Sequence, residues 1–157
     1  MTLDEIERLE KMFTEAAEAL AGRRVEVFLR PPASRGFGGE AFLCPVKGSR
    51  MVWIDLDPHQ APEAMFTTAL HEMAHAKLHF PAENSGSFPD ATPGSIVMTK
   101  AEAAAYVVNP TEAEADRQAQ VWRAQIDLAA APHLTDVTNP WLVLEIKLIV
   151  SKFYKGE

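Results

Sequence analysis

Apolar residues near the amino terminus recur three and four positions apart. Ile6, Leu9, Phe13, Ala16, Ala17 and Leu20 fall on one stripe of a helix whose back is charged. Thr2 and Glu5 stand at capping-box spacing and Gly22 offers a stop, so the pattern predicts a helix over 2–21. The period then changes to two across 24–29 (RVEVFL), the mark of a strand with one buried face. A Pro- and Gly-rich loop follows at 30–39. Segments 40–44 and 51–56 read as two more strands, joined through 45–50 as a hairpin, so that a sheet occupies 24–56.

The period returns to that of a helix over 62–80, with Pro62 placed for its first turn. Met65, Phe66, Ala69, Leu70, Met73, Ala74 and Leu78 leave this helix apolar around most of its circumference, so it belongs in the core. Segment 81–98 is rich in Pro, Gly, Ser and Asn and reads as a loop. Thr99 and Glu102 form a second capping-box pattern, opening a short helix through Val108 that Asn109-Pro110 interrupts. Thr111 restarts a helix to about Ala130, Pro132 ends it, and Asn139-Pro140 opens a last apolar helix. The C-terminal helices thus span 99–155. Strands grouped together, then helices, indicate an α+β fold in one domain covering 1–157.

Composition narrows what such a domain does. A net charge of −7 argues against a general nucleic-acid surface, which needs clustered Lys and Arg, and no direct nucleic-acid binding is expected. Cys44 is the only cysteine, which excludes an intramolecular disulfide and a cysteine-based zinc cluster. The amphipathic start is no signal peptide, and no apolar run reaches the length of a membrane span. A cytoplasmic protein without membrane contact is the expectation, and its oligomeric state is left open.

One stretch carries chemistry. His71, Glu72 and His75 form an HExxH motif on the buried helix, with the two histidines one turn apart on one face. Two imidazoles so placed can share one divalent ion, and Glu72 beside them can serve as general base. Burying three polar side chains is costly unless they find partners, and a metal supplies one. A third ligand must come from elsewhere. The extended HExxHxxGxxH pattern is absent, because Leu78 and Pro81 stand where its Gly and His would be. His79, a turn beyond His75, is carried away along the helix axis and reads as a supporting or structural residue.

Glu112 and Asp116, at E-x-x-x-D spacing, are better placed: the Glu can ligate while the Asp accepts a hydrogen bond from a ligand imidazole. Glu114 and Glu102 are the alternatives, and acids in a first helical turn also favour the helix dipole without binding anything. Tyr106, His133 and Tyr154 are candidate donors to a transition-state oxyanion, and the sequence does not choose among them.

The segment TALHEMAHAKLH, followed downstream by TEAEADRQA, resembles the ImmA/IrrE type of zinc metallopeptidase over about residues 24–125. That resemblance implies a zincin-like arrangement: a small three-stranded antiparallel or mixed sheet packed on a helical bundle, with HExxH on a buried helix. One Zn2+ per chain would lie between that helix and the E-x-x-x-D helix. His71, His75 and Glu112 would be ligands, Glu72 the catalytic base and Asp116 the support. It further implies a protein substrate or regulatory partner, including repressors of phage or mobile elements. Ala74 departs from the Gly common in that family before the second His. A weaker similarity is to SprT-like proteases, whose later His-Gly pair this chain lacks. Two readings compete with a peptidase: a non-cleaving zinc-binding regulatory protein of the same fold, and a metal-free domain with an accidental motif.

Overall fold

A computed structural model describes residues 1–33, 37–46, 49–83 and 111–154. The expected helix at 99–108, most of the 81–98 loop, Glu102 and Tyr106 lie outside the described residues.

Helix α1 runs Leu3–Ala21. Its capping box forms as the spacing predicts: the Thr2 hydroxyl accepts from the Glu5 N–H, and the Glu5 carboxylate accepts from the Thr2 N–H, both at 3.2 Å. Gly22 ends the helix at φ 68°, a left-handed conformation that glycine adopts without a Cβ penalty. Strands β1 (Val25–Leu29), β2 (Gly39–Leu43) and β3 (Val52–Leu56) build a mixed sheet in the order β1-β3-β2. β2 and β3 are antiparallel neighbours, as the expected hairpin requires, while β1 joins β3 in parallel. β2 begins one residue earlier than the apolar alternation suggests, because Gly39 pairs with Leu56 and carries no side chain to mark it.

The register stacks Val25, Val27 and Leu29 beside Val52, Ile54 and Leu56 on the face turned to the helices. The opposite face carries an aromatic row, with Trp53 edge-on to both Phe28 (5.0 Å) and Phe42 (6.2 Å). Arg30 stacks over Phe28 and pairs with the buried Asp55 at 2.6 Å.

Helix α2 spans Pro62–Leu78, with His79 at its C-cap, so it ends a residue or two short of the predicted bound. It lies between the sheet, α1 and the two helices that follow, which is why Met65, Phe66, Ala69, Leu70, Met73, Ala74 and Ala76 are all buried. Helix α3 (Glu112–Ala130) crosses α2, leads into a 3-10 turn at Ala131–His133, and is followed by α4 (Pro140–Lys152). Pro132 therefore tightens the helix end before the chain turns away. Asn139 caps α4 by accepting from the Trp141 N–H at 3.0 Å, and α4 packs chiefly on α1. One hydrophobic cluster, from Leu9 and Phe13 to Trp122 and Leu148, joins helices and sheet. Polar contacts lock the helices across it. Arg123 reaches Glu63 and Thr67 of α2 and Asp127 of α3, and the buried Lys147 of α4 lies 3.0 Å from Asp127. No helix among the described residues is long and apolar enough to cross a membrane.

Candidate metal centre

The site lies where α2, the start of α3 and the edge strand β2 converge on a cleft of about 580 Å³. The i, i+4 spacing puts the rings of His71 and His75 on one face of α2, with centroids 4.7 Å apart. From α3, Glu112 brings one carboxylate to both: Oε2 is 2.7 Å from His71 Nε2, and Oε1 is 3.1 Å from His75 Nε2. The two Nε2 atoms are 3.2 Å apart. Among the described residues these three form a group whose donor atoms can surround a single ion. Glu112 takes the place that Glu114 was also considered for. Glu114 points instead towards His79, at 3.6 Å, and Thr111 makes no side-chain cap with this first turn.

The proton arrangement tests whether an ion fits. Asp116 lies 2.8 Å from His71 Nδ1, placed to accept the ring proton there when Nε2 is given to an ion. His75 Nδ1 lies 2.8 Å from a ring nitrogen of His79. Burial is the main cause holding His75 below the ordinary imidazole value, with His71 and His79 pushing the same way against Glu112. The neutral ring is the form that ligates a metal. An ion held by the two Nε2 atoms requires both protons on the Nδ1 side, where Asp116 and His79 stand at 2.8 Å. A cation would then sit among two Nε2 lone pairs and a carboxylate about 3 Å apart. Ligands held at 2.0–2.1 Å in a tetrahedron stand about 3.3 Å apart, close to the observed separations. The donor set fits.

Glu72 sits beside this group on the flank of α2 that meets β2, and it is 8% exposed. The Ala41 backbone N–H donates to it. Burial pushes its carboxyl up to about 7. The charges of Glu112 and Glu40 act in the same direction, while His71 and the Ala41 N–H oppose them. A carboxyl poised near neutrality suits proton transfer.

The close approach of β2 to α2 depends on Gly39, which the chain pattern alone assigned to a loop. A Cβ there would meet Thr68 Cγ2 at 2.7 Å and Glu72 Cγ at 3.1 Å. Gln60 completes the fit, donating to the Gly38 and Asp57 carbonyls and accepting from the Thr68 hydroxyl. None of these supports carries a motif. The Gly38-Gly39 pair was their one visible signal, since adjacent glycines invite a close backbone approach. At the far end of α2, Arg23 donates to the Pro81 and Arg50 carbonyls and Arg50 to the Glu83 carbonyl, tying the helix exit to the sheet.

His133 and Tyr154 are not brought to the cleft. Both line a separate apolar pocket of about 680 Å³ between α3 and α4, where the Tyr154 hydroxyl donates to Gln125. Gln125 is 13 residues along α3 from Glu112, about 20 Å of helix rise, too far for either to reach a reacting group at the metal centre. The expectation of an oxyanion donor from these two is corrected accordingly. His59 is an exposed loop residue paired with Asp57, away from the ligand group. Searches against protein-family models, curated proteins and solved structures gave no match, so the case for this centre is carried by its own geometry.

Proposed function

We propose that this protein is a zinc-dependent metallopeptidase of the ImmA/IrrE kind, acting on a protein partner in the cytoplasm. The observation that carries the reading is the convergence of His71 Nε2, His75 Nε2 and the Glu112 carboxylate from two helices, with the buried Glu72 next to them. Two imidazoles and one carboxylate are a donor set that zinc favours, and three protein ligands leave a fourth position open, as hydrolytic sites do. When bound there, zinc supplies Lewis acidity and brings the pKa of a water down to about 7.

The chain's own residues supply the rest. Glu72 takes the proton of the attacking water and returns it to the leaving nitrogen, and the Ala41 N–H holds its carboxylate towards the cleft. Asp116 fixes the ring of His71. Among the described residues β2 is an edge strand with one partner in the sheet, and its Gly39–Ala41 backbone lines the cleft, so an extended peptide can align along it by strand addition. The repressor of a mobile element is the substrate class that the family resemblance suggests.

The test has two parts. Purified protein should take up one zinc per chain, and Glu112→Gln should lose most of that uptake. Zinc-loaded protein should cleave members of a randomised peptide pool. Absence of near-stoichiometric zinc would end the reading. A loaded protein that cleaves nothing while holding an intact partner would convert it into the non-cleaving regulatory alternative.

A further inference from the structure

His79 lies outside the ligand set, yet among the described residues it is one of the few polar side chains that are fully buried, at 1% exposure. Its Nδ1 is 2.8 Å from His75 Nδ1. One proton lies between those two nitrogens, so one ring donates and the other accepts. The direction follows from the metal-centre reading, on which this inference rests. With its Nε2 lone pair committed to the ion, His75 carries its proton on Nδ1, and His79 must accept it. The proton of His79 is then on Nε2. Among the described residues that buried nitrogen has no hydrogen-bond partner, and the Glu114 carboxylate lies 3.6 Å away.

We propose that His79 is the positioning residue of His75, fixing its ring and tautomer, and that Glu114 supplies the negative charge that keeps His79 in its Nε2–H form. The two ligand histidines are thereby supported unequally. His71 leans directly on the exposed Asp116, whereas His75 leans on a buried ring with its carboxylate one step further out. A histidine kept only for packing explains neither the shared Nδ1 proton nor the placement of an unpaired Nε2 beside an acid; a leucine would fill the space without either.

Two measurements on the full chain test this. The first is zinc affinity by competition with a chromophoric chelator, for wild type, His79→Leu, His79→Asn and Glu114→Gln. The second is the ring-nitrogen NMR signature of the zinc-loaded wild type. His79→Leu should bind zinc about 10- to 100-fold more weakly, the usual cost of losing a ligand's hydrogen-bond partner. His79→Asn should bind within a few-fold of wild type, because its Oδ1 replaces the Nδ1 acceptor. Glu114→Gln should fall between them. The NMR spectrum should show His79 protonated on Nε2 with Nδ1 accepting, which decides the question even if His79→Leu fails to fold. Wild-type affinity in His79→Leu, or a His79 proton on Nδ1, overturns this proposal while leaving the metal centre standing. A wild type that takes up no zinc overturns both.

Discussion

The sheet has two edges, and the protein treats them in opposite ways. Along β1 the outward N–H groups are taken up by α1: Val27 donates to the Thr14 hydroxyl at 3.0 Å and Leu29 to the Glu10 carboxylate at 2.8 Å. That edge is closed by two side chains of α1. Along β2 the Ala41 N–H goes to Glu72, the residue proposed as the base, and the strand borders a cleft. An open edge invites pairing with another chain and is ordinarily blunted. Among the described residues it is blunted along β1, while along β2 it borders the cleft of the candidate metal centre. On the proposed function, β2 is placed for recognition and β1 for the fold.

Breaking the open edge at its chemistry should have the largest effect. Glu72→Gln keeps the side-chain volume and can still accept from the Ala41 N–H, but it cannot take a proton. Turnover of any peptide that the wild type cleaves should fall by about 10²- to 10⁴-fold with zinc content unchanged. Activity within a few-fold of wild type would separate Glu72 from the reaction. The next effect is steric. Gly39→Val puts a Cβ 2.7 Å from Thr68 Cγ2 and branches it towards Glu72 and Leu56, so β2 must move off α2. Overpacking of this kind costs about 3 kcal/mol, and urea denaturation should show it together with weaker peptide binding. The closed edge gives the matching control. Thr14→Val removes the acceptor of the buried Val27 N–H at nearly constant volume and should cost about 1–2 kcal/mol while leaving activity intact. Loss of activity in Thr14→Val would mean that the two edges are not separate in function.

How far the sequence anticipated this contrast depends on what carries each part. The elements were legible because apolar spacing and punctuation agree: Thr2 with Glu5, Gly22, Pro62 and Asn139-Pro140 each lie at or next to an observed boundary. The three metal-facing residues and Asp116 were legible because a site needs particular side chains at particular spacings, and His71, His75, Glu112 and Asp116 meet in space as those spacings imply. The edges were not legible. Thr14, Glu10 and the Ala41 N–H act through long-range pairings with no local pattern, and the parallel placement of β1 beside β3 has no signal in the strands themselves. His133 and Tyr154 misled for the complementary reason: their chemistry is suitable, but chemistry without a distance does not assign a role.

The smallest effect concerns the lower end of the closed side, where Glu83 accepts from the Arg24 N–H at 2.5 Å and from Arg24 Nε at 3.1 Å, just before β1 begins. The backbone hydrogen bond from Arg24 is the main cause holding the Glu83 carboxyl below its ordinary 4.5, with the Arg24 side chain adding to it and partial burial opposing. A carboxyl whose folded value is depressed stabilises the fold fully above its unfolded value, and that contribution fades as pH falls through the folded one. Glu83→Gln should therefore melt slightly below wild type, by a gap constant from pH 7 to about 5 that closes as pH drops below about 4.5. Because Arg24 is exposed and Glu83 partly so, solvent screens the pair and the gap should be small. A gap that stays level through pH 3 would mean that the ionised carboxylate does not matter and that Arg23 and Arg50, donating to the Pro81 and Glu83 carbonyls, hold this corner by themselves. Glu10 of α1 would then be the carboxylate that matters along the β1 edge, with neutral backbone acceptors holding the corner beside it.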